Sequence, residues 1–317
     1  MRIAILDDYQ NAALAAADWK GLGKGVQITV FNKHIKGEAA VAKALKPFDV
    51  VVGMRERTPF PKSLIGKLPN LKLLITTGMR NLSFDLRAAK ARGVVVCGTS
   101  MLGYPAAEHA AALIFALYKK IPAEDRVMKK GGWQASASEG MKGKTLGILG
   151  LGKLGARVAR VGQALEMHVV AWSQNLTPER CAEAGVAYVD KQTLFKACDV
   201  VSIHLVLSDR TRGLVGAREL GWMKPTAYLV NTSRGPIVDE KALIKALRAG
   251  DIAGAGLDVY DVEPLPRSHP IRKLKNVVLT GHTGFVVKEL YALAYGEAIE
   301  DIKAWMAGKP IRVLNAD

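Results

Sequence analysis

The 317-residue chain has few cysteines and no long apolar run, and both scarcities limit what it can be. Its three cysteines, Cys97, Cys181 and Cys198, form neither a C-x-x-C pair nor a zinc-ligand spacing, so we expect no metal site. The longest helical apolar run, residues 110–118, is flanked by charged residues and is far shorter than the roughly 20 residues of a membrane span. The N-terminus shows no signal-peptide pattern. We therefore expect a soluble cytoplasmic protein.

Basic runs and aromatic-interleaved basic patches are also missing, although the chain is strongly basic. Lys and Arg number 45 against 29 Asp and Glu, which gives a formal net charge of +16. Because the basic residues are scattered, a solvated surface is favoured over nucleic-acid binding. An anionic cofactor and an acidic substrate would both be attracted by this charge. We therefore predict a small-molecule partner and neither a nucleic-acid nor a membrane partner.

Strand and helix patterns alternate along the chain, which predicts an α/β fold with parallel sheets. We predict two domains. Residues 1–100 and 287–317 would form a smaller, flavodoxin-like substrate domain, and residues 101–286 a Rossmann-type doubly wound dinucleotide-binding domain. A long apolar helix over residues 105–121, ended by Pro122, is expected to connect them.

One stretch, residues 144–165, has the sequence KTLGILGLGKLGARVARVGQAL. A short apolar strand leads into three glycines in G-x-G-x-x-G spacing, and a helical pattern follows. The first glycine permits the tight turn, the second leaves room for a pyrophosphate, and the third lets the helix pack closely on the sheet. An ordinary strand–turn–helix is the alternative, but the context favours dinucleotide binding. The predicted cofactor-binding residues of this stretch are Gly150, Gly152, Lys153, Leu154 and Gly155.

Three titratable or charged residues follow apolar strands in the second half of the chain. Arg234 follows one strand, Glu263 another and His282 a third. Because the carboxyl ends of parallel strands face the ligand crevice, these side chains are expected to lie at one edge of the sheet. They would supply a fork for a carboxylate, a carboxylate to orient an imidazole, and a proton carrier near neutral pH. Taken singly, each could instead be a surface ion-pair residue, a turn residue or a buried histidine.

The segments around these residues resemble the D-isomer-specific 2-hydroxyacid dehydrogenase family over essentially the whole chain. They read ACDVVSIHLVLSDRTRGLVG, ELGWMKPTAYLVNTSRGPIVDEKALIKAL, GAGLDVYDVEP and NVVLTGH, in the family's order. Hydroxypyruvate and glyoxylate reductases are the relatives it suggests. The resemblance implies hydride transfer between NAD(P)H and a small 2-keto acid, which gives the D-hydroxy acid.

The resemblance also implies a role for each matching residue. Arg234 would bind the substrate's carboxylate and carbonyl oxygen, His282 would act as acid and base, and Glu263 would orient His282. In the first domain, the loop from Gly78 through Met79 and Arg80 would hold the substrate carboxylate, with Arg55 beside it. Asp258 would meet the nicotinamide carboxamide. The residues implied to line the cofactor groove are Val206 and Thr232.

The chain departs from the family pattern in two stretches. Ser173 stands where an Asp or Glu would select NAD, and Gln174 stands where NADP-preferring relatives have arginine. We therefore expect a slight preference for NADP or dual use, with Arg180 as a possible phosphate ligand. The family's usual residues are also replaced around His282, by Gly281 before it and by Thr283 and Phe285 after it. Phe285 could narrow the pocket.

Two other functions and an assembly state stay open at this point. A nucleotide-sensing protein similar to the family's corepressors would bind cofactor with negligible turnover, and a formate-type dehydrogenase would need no acid–base histidine. Intact Arg234, Glu263 and His282 favour the reductase. The apolar helix and the resemblance together suggest a homodimer.

Overall fold

The computed structural model describes residues 1–316, which divide into two compact units. The first unit takes residues 1–102 together with the C-terminal residues from Val286, and the second takes Gly103–Phe285. These bounds lie two residues and one residue from the predicted limits of 100 and 287.

The first unit is built on a five-stranded parallel sheet. Its strands are β1 (Arg2–Ile5), β2 (Gln27–Val30), β3 (Val50–Gly53), β4 (Leu73–Thr76) and β5 (Val95–Gly98). The helices between them are α1 (Ala13–Ala16), α2 (Glu38–Leu45), α3 (Lys62–Ile65) and α4 (Leu86–Ala91). The strand order β2-β1-β3-β4-β5 is that of flavodoxin-like sheets. The predicted fold of this unit is therefore confirmed.

The second unit is built on a seven-stranded parallel sheet. It begins with α5 (Pro105–Tyr118) and α6 (Ile121–Lys129). The next elements are β6 (Thr145–Leu149), α7 (Lys153–Ala164), β7 (His168–Trp172), α8 (Pro178–Glu183), β8 (Ala187–Tyr188), α9 (Lys191–Ala197) and β9 (Val200–Ile203). The last are α10 (Ala217–Trp222), β10 (Tyr228–Asn231), α11 (Glu240–Ala249), β11 (Gly254–Leu257) and β12 (Val277–Leu279). A final helix, α12 (Lys288–Met306), belongs to the first unit.

The order of the second sheet, β12-β11-β10-β9-β6-β7-β8, reverses direction at β6. This reversal is the switch point of a doubly wound, Rossmann-type sheet, and ligands bind at the carboxyl ends of the strands there. The central strands are buried on both faces, and β9 and β10 are buried throughout. Separate apolar clusters cover the two faces, one with α5 and α7 and the other with α9 to α11. This confirms the predicted fold class.

The long apolar helix differs from its prediction. It ends at Tyr118, and Pro122, which we expected to stop it, is the second residue of α6. Proline is tolerated in a first helical turn because its missing N–H would have no partner there. The break falls instead at Lys120, whose φ of 51° is left-handed. The helix is also more than a connector, because Leu113 and Leu117 lie buried against β11 within the second unit.

Within residues 1–316, no helix combines the length and the apolar character that crossing a membrane requires. The three cysteines are free and buried. Burial raises the pKa of the Cys97 and Cys198 thiols to about 12. Both thiols are therefore core groups in their protonated form.

Candidate functional site

The glycine turn after β6 has the shape that a dinucleotide requires. Gly150 adopts a φ of 104°, which side chains rarely allow. A Cβ on Gly155 would lie 2.1 Å from the Gly150 carbonyl oxygen, so α7 approaches the turn as closely as only glycine permits. A Cβ on Gly152 would meet nothing within 4 Å. The space above Gly152 is open, and the residues present fit a pyrophosphate.

The amino end of α7 faces this space. No side chain caps the helix at Gly152, and Lys153 and Leu154 form its first turn. Uncapped N–H groups and the positive end of a helix dipole favour an anion. The other predicted cofactor residues follow neighbouring strands: Ser173 after β7, Val206 after β9 and Thr232 after β10. Ser173 and Thr232 are half-buried, and Val206 is 71% exposed.

Arg234 lies in a loop that the sequence folds tightly. The Asn231 amide donates to the Arg234 carbonyl at 3.0 Å, and its oxygen accepts from the Ser233 N–H at 3.0 Å. At Gly235 a Cβ would lie 2.1 Å from the Tyr260 carbonyl carbon. Only glycine therefore lets this loop pack against the segment that carries Glu263. The Arg234 guanidinium donates to the Ser233 carbonyl at 2.8 Å and is half-buried.

Glu263 and His282 are brought together. Strands β10, β11 and β12 pair in parallel register, so the loops that follow them leave the same edge of the sheet. The Glu263 carboxylate contacts His282 Nδ1 through Oε2 at 2.6 Å and accepts the Tyr260 N–H through Oε1 at 2.9 Å. Their side chains are 32% and 21% exposed. The carboxylate thus fixes one ring nitrogen and leaves Nε2 for another partner.

Asp258 is occupied within its own unit. Its carboxylate is 1% exposed and accepts from the Thr280 hydroxyl at 2.5 Å and from the N–H groups of Thr283 and Gly284, both at 2.8 Å. Burial alone would raise the pKa of this carboxyl, but hydrogen bonds from His109, Thr280 and the two backbone groups lower it. A nicotinamide carboxamide, the partner predicted for Asp258, would have to share carboxylate oxygens that already accept these hydrogen bonds.

The same network holds His282 itself. The His282 N–H donates to the Asp258 carbonyl at 2.7 Å, and the residue has a left-handed φ of 55°. Phe285, which the sequence suggested could narrow the pocket, packs edge-on against the His282 ring with centroids 5.6 Å apart. It therefore restricts the ring that Glu263 also orients.

Sequence reasoning missed His109 on α5. Its Nε2 lies 2.8 Å from the Thr280 hydroxyl and 3.4 Å from the Asp258 carboxylate. The two segments are 171 residues apart, and neither charge nor spacing links them in the sequence. By contrast, His204 is a buried structural residue, because burial lowers its pKa to about 4 and its ring contacts Ser202.

In the first unit, Arg55 and the loop after β4 lie together. The Arg55 guanidinium donates to the Thr77 carbonyl at 3.1 Å, and a Cβ on Gly78 would come 1.9 Å from its Nη1. Met79 is 50% exposed and Arg80 is also exposed. The N–H groups of Met79 and Arg80 donate to no backbone group within residues 1–316.

A doubly wound sheet with an open glycine turn is typical of dinucleotide-binding α/β proteins. The chain belongs to the D-isomer specific 2-hydroxyacid dehydrogenase family, because the model of that family's NAD binding domain matches residues 111–284. The second unit therefore contains the family's NAD binding domain, which supports NAD(H) as a cofactor.

Similar proteins agree with this assignment. The chain is 38% identical over 258 residues to the glyoxylate reductase of Thermococcus litoralis, a match that covers 74% of this chain and 78% of that protein. It is also 38% identical over 264 residues to the D-3-phosphoglycerate dehydrogenase of Archaeoglobus fulgidus, over 82% of this chain but only 50% of that protein. The chain thus spans about half the length of that relative.

A crystal structure of a phosphoglycerate oxidoreductase from Vibrio cholerae superposes on the chain with a TM-score of 0.92 at 35% identity. The superposition covers 97% of this chain and 99% of that one. Both units therefore occur together in a solved relative.

Proposed function

We propose that the chain is an NAD(P)-dependent 2-keto acid reductase that forms a D-2-hydroxy acid. The substrate would be a small 2-keto acid such as glyoxylate or hydroxypyruvate, or a bulkier analogue. The observation that carries this proposal is the 2.6 Å contact between Glu263 and His282 in the unit that holds the glycine turn. A protein that only bound the nucleotide would not need an oriented proton carrier.

Each residue of the second unit then has a role. Bound nicotinamide supplies the hydride. His282, held through Nδ1 by Glu263, gives a proton from Nε2 to the substrate's carbonyl oxygen and takes it back in the reverse direction. Arg234 binds the substrate's carboxylate and carbonyl oxygen, because a guanidinium offers two parallel N–H donors.

The hydrogen bonds around Asp258 affect the proton transfer indirectly, through the position of His282. They hold the backbone of residues 282–284, and with it the direction of the His282 ring. Phe285 packs edge-on against one side of that ring. A general acid works only within hydrogen-bond reach of its target, so this support contributes to the rate.

The first unit would bind the substrate carboxylate. The N–H groups of Met79 and Arg80 donate to no backbone group within residues 1–316, and they lie in a loop that Arg55 contacts, as an anion site requires. Arg80 adds an exposed positive charge beside them. We assign the first unit to the substrate and the second to the dinucleotide on these grounds.

NAD(H) use fits the family, and we propose that NADP(H) is accepted as well or preferred. Ser173 is neutral, so no carboxylate at the end of β7 would repel a 2′-phosphate. The choice between NAD(H) and NADP(H) thus depends on Ser173, which departs from the family pattern.

We also propose a homodimer, on different grounds from those of the sequence. The apolar helix first taken to suggest it is largely buried in its own unit. No residue of α6 is buried, however, and Ile121, Met128 and Trp133 are exposed by 54%, 51% and 73%. Exposed apolar side chains on one short segment are typical of a contact surface. A second copy of the chain is the partner we propose.

The function is tested by mixing purified protein with NADPH or NADH and following absorbance of the reduced nicotinamide. The panel contains glyoxylate, hydroxypyruvate, 3-phosphohydroxypyruvate, a bulky apolar 2-keto acid, and formate in the oxidative direction with NAD⁺ or NADP⁺. Turnover of one keto acid is the expected result. Cofactor binding without any turnover would favour the corepressor-like alternative instead.

A further inference from the structure

The loop after β9 is a fixed turn. Thr211 is 8% exposed, and its hydroxyl accepts from the Ser208 N–H at 2.8 Å and donates to the Val206 carbonyl at 2.7 Å. The Arg212 N–H also donates to the Ser208 carbonyl at 2.9 Å. Residue 210, at the outside of this turn, is therefore held in place by the backbone around it.

This turn lies next to the residues that follow β7. Strand β6 pairs with β7 on one side and with β9 on the other, so the loops after β7 and β9 flank the glycine turn. The Gln174 amide donates to the Arg210 carbonyl at 3.2 Å. The Arg210 guanidinium donates through Nη2 to the Asn175 amide oxygen at 3.1 Å. Both residues after Ser173 thus bond to Arg210.

Charge at this position favours an anion. No carboxylate occurs among residues 173–178, and the first one, Glu179, bonds to Thr177. Asp209 adds one negative charge in the turn itself and is exposed to solvent. Arg180, which the sequence suggested as a phosphate ligand, is 3.7 Å from Glu183 instead. Arg210 is the guanidinium that the structure joins to the end of β7.

We propose that Arg210 is the residue that recognises the 2′-phosphate of NADP(H). This inference rests on the proposed dinucleotide site at Gly150–Gly155. The guanidinium fork matches the geometry of a phosphate and can bind it through two N–H groups. The Asn175 oxygen accepts one N–H of the guanidinium and holds it near the loop that follows β7, so little side-chain freedom is lost on binding. Arg210 therefore supplies the positive selector that Gln174 cannot.

The test separates the phosphate contact from nucleotide binding in general. We would measure dissociation constants of the full-length protein for 2′,5′-ADP and for 5′-AMP by calorimetry, without any substrate. The variants are Arg210→Ala and Arg210→Lys, with Arg212→Ala as the matched control. Arg212 carries the same charge in the same turn and lines a groove with Asp239 and Asp261 on another side.

We expect wild-type protein and Arg212→Ala to bind 2′,5′-ADP at least about tenfold more tightly than 5′-AMP. Arg210→Ala should lose that preference and keep its affinity for 5′-AMP within about twofold, and Arg210→Lys should keep part of it. Retention of the full preference by Arg210→Ala would overturn the proposal. Equal weakening of both nucleotides would also overturn it, because the turn rather than a phosphate contact would then be lost.

The wild-type measurement distinguishes a failure of the proposed Arg210 contact from a failure of the proposed dinucleotide site. If the protein bound 5′-AMP but showed no preference for 2′,5′-ADP, the role of Arg210 would fail and dinucleotide binding would stand. If it bound neither nucleotide nor an intact dinucleotide, the proposed function would fail as well.

Discussion

His282 and Arg55 both have left-handed backbone, with φ values of 55° and 52°. For a residue with a side chain this conformation costs about 1–2 kcal/mol, and it persists only where the surroundings fix it. The surroundings here are specific: the His282 N–H bonds to the Asp258 carbonyl, and the Arg55 N–H bonds to the Thr77 hydroxyl. Unusual backbone thus occurs at two of the residues that the resemblance implied for the site.

Replacing His282 by alanine removes the proposed proton carrier. Turnover should fall about 10²-fold or more, because general acid catalysis typically contributes at least that much. Steady-state rates at saturating keto acid measure the effect, and fluorescence titration with NADPH checks that cofactor affinity is retained. The exposed His168 provides a matched control, and His168→Ala should leave turnover unchanged. An undiminished turnover number in His282→Ala would refute the assignment.

Replacing Ser173 by aspartate restores the usual NAD selector. The new carboxylate should accept hydrogen bonds from the ribose hydroxyls and repel a 2′-phosphate. We expect the ratio of NADPH to NADH dissociation constants to move toward NADH by about tenfold, which corresponds to 1.4 kcal/mol. Titrations with both coenzymes measure it. An unchanged ratio would show that the selector lies elsewhere.

At the scale of an element, the glycine turn separates folding from binding. Gly152 faces open space, whereas Gly155 is in close contact with the Gly150 carbonyl oxygen. A methyl group on Gly152 would enter the open space where we propose that the pyrophosphate binds, and one on Gly155 would meet the protein's own backbone. Glycine is therefore required at the two positions for different reasons, ligand access at Gly152 and backbone packing at Gly155.

This difference predicts opposite phenotypes for two alanine variants. Gly152→Ala should fold with a free energy of unfolding within about 0.5 kcal/mol of wild type, yet bind NADPH more weakly. Gly155→Ala should lose about 1–3 kcal/mol of stability, because the backbone must shift to admit the methyl group. Urea unfolding and NADPH titration of both variants give the comparison. Equal stability losses in the pair would contradict it.

In the first unit, helix α12 binds the C-terminal segment through a hydrogen bond from Arg312 to the buried Asp301. Asp301 is fully buried, and its Oδ1 accepts from Arg312 Nε at 2.9 Å. Its Oδ2 has no hydrogen-bond partner within residues 1–316. Burial raises the pKa of Asp301 to about 7, against the lowering effect of Arg312. In the folded state the Asp301 carboxyl therefore keeps its proton up to about pH 7, whereas in the unfolded chain it loses the proton near its ordinary pKa of about 4.

The direction of the pH dependence follows. Between about pH 4, the ordinary value for an unfolded Asp, and pH 7 the folded state binds more protons, so stability falls as the pH rises. Asp301→Asn removes this contribution. Its free energy of unfolding minus that of wild type should rise with pH, by up to about 1.4 kcal/mol per unit in that window. Urea unfolding at pH 5, 6, 7 and 8 measures it, and a constant difference would rule it out.

For the whole molecule, strand and helix patterns were enough to predict both sheets and the loops that bring Glu263 and His282 together. Apolar strands with a charged residue just beyond them placed Glu263 and His282 at one edge, because parallel register carries that information. Helix α6 was missed because Pro122 was taken as a stop, although proline suits the first turn of a new helix.

Contacts between side chains of distant loops could not be predicted. His109 meets Thr280 across 171 residues, and Arg210 meets Asn175 across 35. Arg210 and Asn175 follow different strands, and the strand order brings them together. His109 reaches Thr280 because α5 packs on the face of the sheet. No local pattern records which side chains of two such loops will touch.

The assembly state is the remaining prediction at this scale. If the surface formed by Ile121, Met128 and Trp133 binds a second copy, the 34.1 kDa chain should have about twice that mass by light scattering. Replacing all three residues by serine should give the monomer mass, since the apolar contact would be lost. Far-UV circular dichroism should stay unchanged, because none of the three is buried in its own unit. A variant with Leu14→Ser, which is 54% exposed in the first unit, should keep the wild-type mass. A wild-type monomer at micromolar concentration, or a triple variant that still has the doubled mass, would refute this surface.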